Sequence, residues 1–244
     1  MQIIFLGTGD AFGSGGRNAP AIIVRSGDSM ILLDCGPCTL PGMKGASLEP
    51  LKLKAILLSH LHGDHFGGIP FFYLEYQFLS HRDDELVMAG PPGTEQRVED
   101  LYRVMFSEMK DVPRKFRVRY KELQAGEALE LDGISALAFQ VVHPLRETAF
   151  GYRIEDGERV LCYTGDTQWF PGLAQAVKGA DLLIAEGFAF EKDIPRHMSY
   201  RDLVSHREEL EVGHILITHM GPEALNNVGR MGLETAHDGM VIEL

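Results

Sequence analysis

Three histidines and one aspartate occupy six consecutive positions, His60 to His65, in the segment LSHLHGDHFGG. Imidazole nitrogens and carboxylate oxygens are ligands for borderline divalent cations such as zinc, manganese or iron. The whole chain has ten histidines in 244 residues, so this density points to a metal site and not to a polar loop. His60 and His62 lie two apart, which on an extended segment turns both to one side. Gly63 marks a turn, after which Asp64 and His65 follow. Four donors exceed what one small cation takes from a single short loop, so the spacing suits division between two metals. A two-metal centre needs further donors at strand ends, where loops converge. Three residues fit: His143 ends AFQVVH, Asp166 ends VLCYTGD and His219 ends HILITH.

The elements that must position these residues are legible as apolar runs. QIIFLGTG, AIIVRSG, SMILLDCG and LKAILLSH are β-branched-rich and separated by Gly, Asp and Ser clusters, and they read as a meander of strands. IPFFYLEYQFLSH reads as a helix, and ELVMAGPP as a strand stopped by Pro-Pro. GTEQRVEDLYRVMFSEM places Val98, Leu101, Val104, Met105 and Met109 at helical spacing, with Thr94 as its cap. The second half repeats the plan. EALELDGISALAFQVVH, AFGYRIEDGERVLCYTGD, DLLIAEG, HILITHM and GMVIEL read as strands. SYRDLVSHREEL reads as a helix capped by Ser199. Two sheets face to face with helices outside bury these runs, an α/β arrangement. Without a linker or low-complexity tract, residues 1–244 read as one domain.

Composition narrows the class. Apolar residues make up 45% and the formal net charge is −12, which describes a globular chain and argues against a protein coated with Lys and Arg for nucleic acid. The basic stretch from Lys110 to Lys121 reads as a solvated edge strand with gatekeeper charges. No apolar run approaches the ~20 residues of a membrane span. The opening MQIIFLGTGD enters an apolar run without a basic leader segment, so a cytoplasmic location is the expectation. Three cysteines are too few for a disulfide scaffold. Two of them form CGPC, Cys35 to Cys38. A redox pair opens a helix, whose N-terminus lowers the thiol pKa. Here TLPG follows without a helical period, and a plain loop is expected.

The motif HLHGDH resembles the H-x-H-x-D-H motif of the metallo-β-lactamase superfamily. LLDCG, YTGDT and THM look like its preceding Asp-Gly strand end, bridging-Asp and last-His motifs. The likeness runs from FLGTGDAFGSGGRN to AHDGMVIEL and implies the four-layer αββα sandwich. It also implies a ligand assignment: His60, His62 and His143 for a first metal, Asp64, His65 and His219 for a second, Asp166 bridging, and Asp34 orienting a ligand from behind. Two divalent ions are implied, zinc fitting the His-rich set and manganese or iron fitting a carboxylate bridge. The opening LGTGDAFGSGGRN with its Arg-Asn pair, and GPPGTE, are similar to the tRNase Z branch. In that branch a Glu and a His assist proton transfer, and the matching stretches here are LIAEGF and RHMSY, giving Glu186 and His197. The branch also implies a homodimer.

The expected activity is hydrolysis by a metal-bridging hydroxide, with Asp64, Glu186 and His197 as the catalytic set. A phosphodiesterase related to tRNA 3′-end endonucleases is the leading reading, acting on a small phosphodiester or an RNA end. One departure bears on the substrate. The tRNA enzymes insert a Gly-Pro-rich arm between the motifs of His143 and Asp166, where this chain has 22 residues. Small esters such as cyclic nucleotides become competitive as substrates. A lactonase or other carboxylic-ester hydrolase on the same metals is the alternative enzyme, opposed by the Glu186/His197 pair. A metal-binding sensor with a vestigial site is the non-enzyme reading, opposed by the complete set of seven candidate ligands.

Overall fold

The computed structural model describes residues 1–143 and 146–244, without the side chain of Lys110. β1 (Gln2–Gly7), β2 (Ala21–Ser26) and β3 (Ser29–Leu33) pair antiparallel; β4 (Leu53–Leu57), β5 (Glu85–Gly90) and β6 (Arg117–Glu122) then join parallel. The second half does the same. β7 (Ala128–Leu131), β8 (Ile134–Gln140), β9 (Phe150–Glu155) and β10 (Val160–Tyr163) are antiparallel. β11 (Leu182–Glu186), β12 (His214–Thr218) and β13 (Glu234–Thr235) follow parallel. β14 (Val241–Glu243) returns to the first sheet beside β1. Among the described residues the sheet orders are β14-β1-β2-β3-β4-β5-β6 and β13-β12-β11-β10-β9-β8-β7.

The two sheets face one another across a shared core, where Phe5, Ile22, Leu33 and Leu57 meet Phe150, Tyr152, Leu161 and Ile184. The outer face of the first sheet is covered by α1 (Thr39–Gly45), the short turn α2 (Gly63–Phe66), α3 (Ile69–Leu74) and α4 (Thr94–Met105), which contribute Met43, Phe66, Phe72 and Val98. The outer face of the second is covered by α5 (Gly172–Val177), α6 (Tyr200–Ser205), α7 (Arg207–Leu210) and α8 (Pro222–Leu225). This is the αββα sandwich. Because the inner strands are buried on both faces, their sequences read as unbroken apolar runs. Each fully buried Leu, Ile or Phe contributes about 1.5–3 kcal/mol over its exposed state.

Five local expectations are corrected. The first four strands are not a pure meander, because β3 and β4 run parallel and a parallel pair needs a crossover. The residues after CGPC supply part of it as α1, with Cys38 at its N-cap. Seven residues are too few to display a period, yet Thr39 and Met43, four apart, are both buried. Thr94 is not the cap of α4; Gly93 holds that position at φ 92°, and the Thr94 hydroxyl donates to the Pro91 carbonyl at 2.6 Å. Val104, read as part of an apolar face, is 81% exposed. SYRDLVSHREEL breaks at His206 into α6 and α7.

Ser199 does cap α6, in a reciprocal capping box with Asp202. β6 lies at the sheet edge, with Arg119 paired to Glu85 and Lys121 to Glu127. The side chain of Lys110, at the start of that basic stretch, lies outside the described residues. So do Pro144 and Leu145 of the segment between His143 and Asp166, whose remainder contains the β9–β10 hairpin.

Candidate metal centre and active site

The seven expected ligands come together at the ends of strands from both sheets. His60 and His62 follow β4, and the α2 turn then brings Asp64 and His65 round beside them, with the His60 and His65 rings 4.1 Å apart. His143 follows β8, Asp166 follows β10 and His219 follows β12. Donor atoms of His60, His62 and His143 lie within 4.8 Å of one another, and so do those of Asp64, His65, Asp166 and His219. Asp166 connects the groups: its Oδ1 is 3.4 Å from His65 Nε2, and its Oδ2 is 3.8 Å from His143 Nε2 and 3.4 Å from His219 Nε2.

His143 Nε2 and His62 Nδ1 are hydrogen-bonded at 3.1 Å, but most of the other donors meet without satisfying one another. His65 Nε2 sits 3.2 Å from Asp64 Oδ2, off hydrogen-bond direction. His60 Nε2, His65 Nε2, Asp166 Oδ1 and both ring nitrogens of His219 are buried with no hydrogen-bond partner among the described residues. Orphaned buried polar atoms are costly, by about 1–3 kcal/mol each. A convergent set of imidazole and carboxylate lone pairs is the donor chemistry that a divalent cation satisfies. The residues therefore fit a metal. The outward nitrogens support the same tautomers. His65 Nδ1 donates to Asp34 Oδ2 at 2.8 Å, and His143 Nδ1 donates to the Arg196 carbonyl at 3.0 Å. Each leaves Nε2 as a lone pair aimed inward.

Electrostatics follow burial and the carboxylates. Burial pushes the His60 imidazole well down and His143 down to about 4. Burial opposes the charge on His65 and His219 too, but Asp166 and its neighbours outweigh it and raise both. Asp166 is held well below the usual carboxylate range, its burial offset by His219 and His65. The carboxylates thus pull positive charge into the centre.

Backbone geometry is equally specific. Asp34 and His219 both adopt left-handed φ, 56° and 55°, a strained conformation for residues with a side chain. Gly165 (φ 57°) is forced, since a Cβ there would lie 2.7 Å from Ser59 Cβ. Gly68 is forced by close approach, a Cβ there falling 2.2 Å from the Gly36 carbonyl oxygen.

Beside these donors stands a second pair. His197 Nδ1 is 2.8 Å from Glu186 Oε2. Glu186 ends β11 and is fully buried; its other oxygen accepts the Thr167 amide. Burial pushes the Glu186 carboxyl up, with Asp166 adding to it, and pushes the His197 imidazole down. His197 is 21% exposed and packs between the rings of His143 and Phe188 at 4.8 and 4.7 Å. It opens onto a cleft of about 550 Å³ lined by His62, Arg97, His143, Arg146, Arg196 and Glu147. Arg196, at φ 67°, gives its carbonyl to His143 while its neighbour His197 faces Glu186, so one loop orients members of both groups.

Sequence reasoning passed over Ser59, Tyr163 and Thr167, which hold Asp34 and Glu186 from behind. Each adjoins or nearly adjoins a candidate ligand, the one available signal. The Arg17–Asn18 pair is structural: Arg17 donates to Thr8 Oγ1 at 3.1 Å, and the Asn18 amide donates to Asp238 at 2.8 Å. Cys35 is buried and its thiol pushed up by that burial, whereas Cys38 is exposed. Although CGPC opens a helix, its Cys35 thiol is buried and shifted away from the low pKa that redox chemistry needs.

A ribonuclease Z of Methanosarcina mazei is 27% identical over 94% of this chain and 90% of its own length. The human short-form tRNase Z superimposes with a TM-score of 0.82 at 24% identity, covering 100% of this chain and 99% of the other. A diphosphatase of the PhnP family does so at 0.80 and 21%, covering 100% and 97%. At such identities these two structures speak to the fold. The family model described as anti-Pycsar protein Apyc1 matches residues 1–238, and the chain belongs to that family, as a metal-dependent hydrolase of the tRNase Z-like branch of the metallo-β-lactamase fold.

Proposed function

We propose that the protein is a phosphodiesterase acting on small phosphodiesters, cyclic nucleotides among them. One observation carries the reading: the His197–Glu186 pair stands beside the unpaired His/Asp donors in a cleft whose wall holds Arg97, Arg146 and Arg196. In this reading His60, His62 and His143 hold one divalent cation, and Asp64, His65 and His219 a second, with Asp166 shared and zinc the preferred metal. Such cations supply Lewis acidity and make water nucleophilic at neutral pH. The chain's own residues do the rest. Guanidinium groups attract and orient the anionic diester. Glu186 engages His197 Nδ1, so that Nε2 is the nitrogen available to deliver a proton to the departing oxygen. Asp64, beside His65 and His219, acts with them in orienting the attack.

A lactone is uncharged and makes no use of the cleft arginines, although one of them, Arg97, is already paired with Glu147; this disfavours the carboxylic-ester alternative. The cleft volume and the hairpin between His143 and Asp166 suit a small substrate better than a tRNA 3′ end. The names of the relatives carry RNA processing and diphosphate cleavage for those proteins, and a phosphodiester is the chemistry nearest to both. The test is turnover of bis(p-nitrophenyl) phosphate and of cyclic nucleotides against a lactone panel, with metal analysis of the same preparation. Diester cleavage with bound divalent metal is expected. Lactone turnover without diester cleavage refutes the proposal.

A further inference from the structure

Asp34 is the most heavily engaged side chain behind the candidate centre. It is fully buried. Oδ1 accepts the Ser59 amide at 2.7 Å, and Oδ2 accepts the Ser59 hydroxyl at 2.8 Å, His65 Nδ1 at 2.8 Å and the Tyr163 hydroxyl at 2.7 Å. Three of these four donors belong to the loop after β4, in the first sheet. Tyr163 alone comes from the second sheet, at the end of β10 and three residues before Asp166. Its hydroxyl is therefore a direct link between the strand that delivers Asp166 and the carboxylate that orients His65.

We propose that Tyr163 is a positioning residue of the metal centre, setting the group formed by Asp64, His65, Asp166 and His219; this rests on the metal-site reading above. The physical reason is register between two sheets. His65 Nε2 and Asp166 Oδ1 must reach one cation from opposite sheets, 3.4 Å apart, and an error of half an ångström on either side spoils the shared geometry. Asp34 fixes the rotation of the His65 ring. Tyr163 fixes Asp34 relative to β10. Ser59 completes the frame: its hydroxyl lies 3.0 Å from His60 Nδ1, and its carbonyl accepts the Phe150 amide of the second sheet at 2.8 Å. Without the phenol, Asp34 keeps its bonds to the first sheet and loses its tie to the second. The His65 lone pair then loses the tie to the second sheet that runs through its own orienting carboxylate.

Tyr163→Phe removes one oxygen and preserves the ring in the core. Tyr152 is the control. It too is buried, and its hydroxyl crosses between the sheets, to the Leu58 carbonyl at 2.8 Å, without touching Asp34. The experiment titrates cobalt(II) into metal-free parent, Tyr163→Phe and Tyr152→Phe proteins and follows visible absorbance, with thermal melts of all three. Loss of a partner to a ligand-orienting group typically weakens metal affinity 10–100-fold. Tyr163 acts one step farther out, so about a tenfold weakening of one binding event with an altered spectrum is expected. Tyr152→Phe should lower the melting temperature without changing affinity or spectrum. Parent-like cobalt binding by Tyr163→Phe overturns the inference, as does an equal change in Tyr152→Phe. A parent that takes up no cobalt overturns the metal reading itself.

Discussion

Replacing His197 by alanine separates catalysis from folding, and the structure sets a size for both effects. The imidazole is the candidate proton donor, and a positioned acid–base group contributes about 10²–10⁴ in rate, or about 3–5 kcal/mol of barrier. The same truncation strips Glu186 Oε2 of its closest partner, His197 Nδ1 at 2.8 Å, in a residue with no exposed surface. A buried carboxyl oxygen left unpaired costs about 1–3 kcal/mol. For a chain of this size that lowers the melting temperature by about 2–12 °C. Adding Glu186→Gln should recover part of that loss without restoring turnover. Metal content should stay constant, since His197 is outside the proposed ligand set. The assay compares diesters with poor and good leaving groups. The rate penalty should shrink for p-nitrophenolate, which departs without a proton. Equal penalties on both would assign His197 to phosphate binding instead. Undiminished turnover of every diester would refute the reasoning.

Chelation should abolish hydrolysis and lower the melting temperature, with both restored by zinc or manganese; activity that survives metal removal contradicts the proposed centre. Replacing Cys35 and Cys38 together by serine should leave hydrolysis largely intact, and a loss that tracks thiol oxidation in the parent would revive redox chemistry. Gly165→Ala should destabilise the fold by at least about 1 kcal/mol through its left-handed backbone and the Ser59 contact, read by urea denaturation; an unchanged midpoint contradicts the packing described. Glu99 is held by Arg114 at 2.9 Å twice and by the Tyr120 hydroxyl at 2.7 Å, and these outweigh its burial to lower its pKa from 4.5. A lowered folded-state pKa means stabilisation present above pH 4.5 and lost as pH falls through the lower value. The stability gap between parent and Glu99→Gln should therefore be flat from neutrality to about pH 5 and close only in stronger acid.

The candidate ligands were legible because metal chemistry confines residue types severely, and because strand ends announce themselves where an apolar run stops at His or Asp. His60 through His65 also carried their own geometry, an extended pair followed by a glycine turn. Seven-residue α1 stayed hidden, since its buried pair Thr39 and Met43 includes a polar member and spans barely one turn. The cap of α4 was missed because Gly93 acts through a left-handed backbone, whereas Thr94 advertises a side chain. Ser59 and Tyr163 escaped notice for a different reason. Their importance lies in contacts across 25 and 129 positions of sequence, and no local pattern records such a partner. The arginines of the cleft come from α4 and two separate loops, and only the folded chain makes them neighbours.

β14 lies against β1, and Asp238 grips Thr8 and Asn18 at the loop bordering His219. On the ribosome this pairing sets a timetable. β1 must wait for more than two hundred further residues before that edge is covered. Until then the nascent sheet presents an open strand, the kind of edge that recruits other chains. The loop beside the metal centre likewise lacks its clamp. Pairings of such long sequence separation are slow to form. A translation pause before residue 236 should therefore yield a chain with most of its core built, the loop beside His219 unclamped and a strong tendency to aggregate.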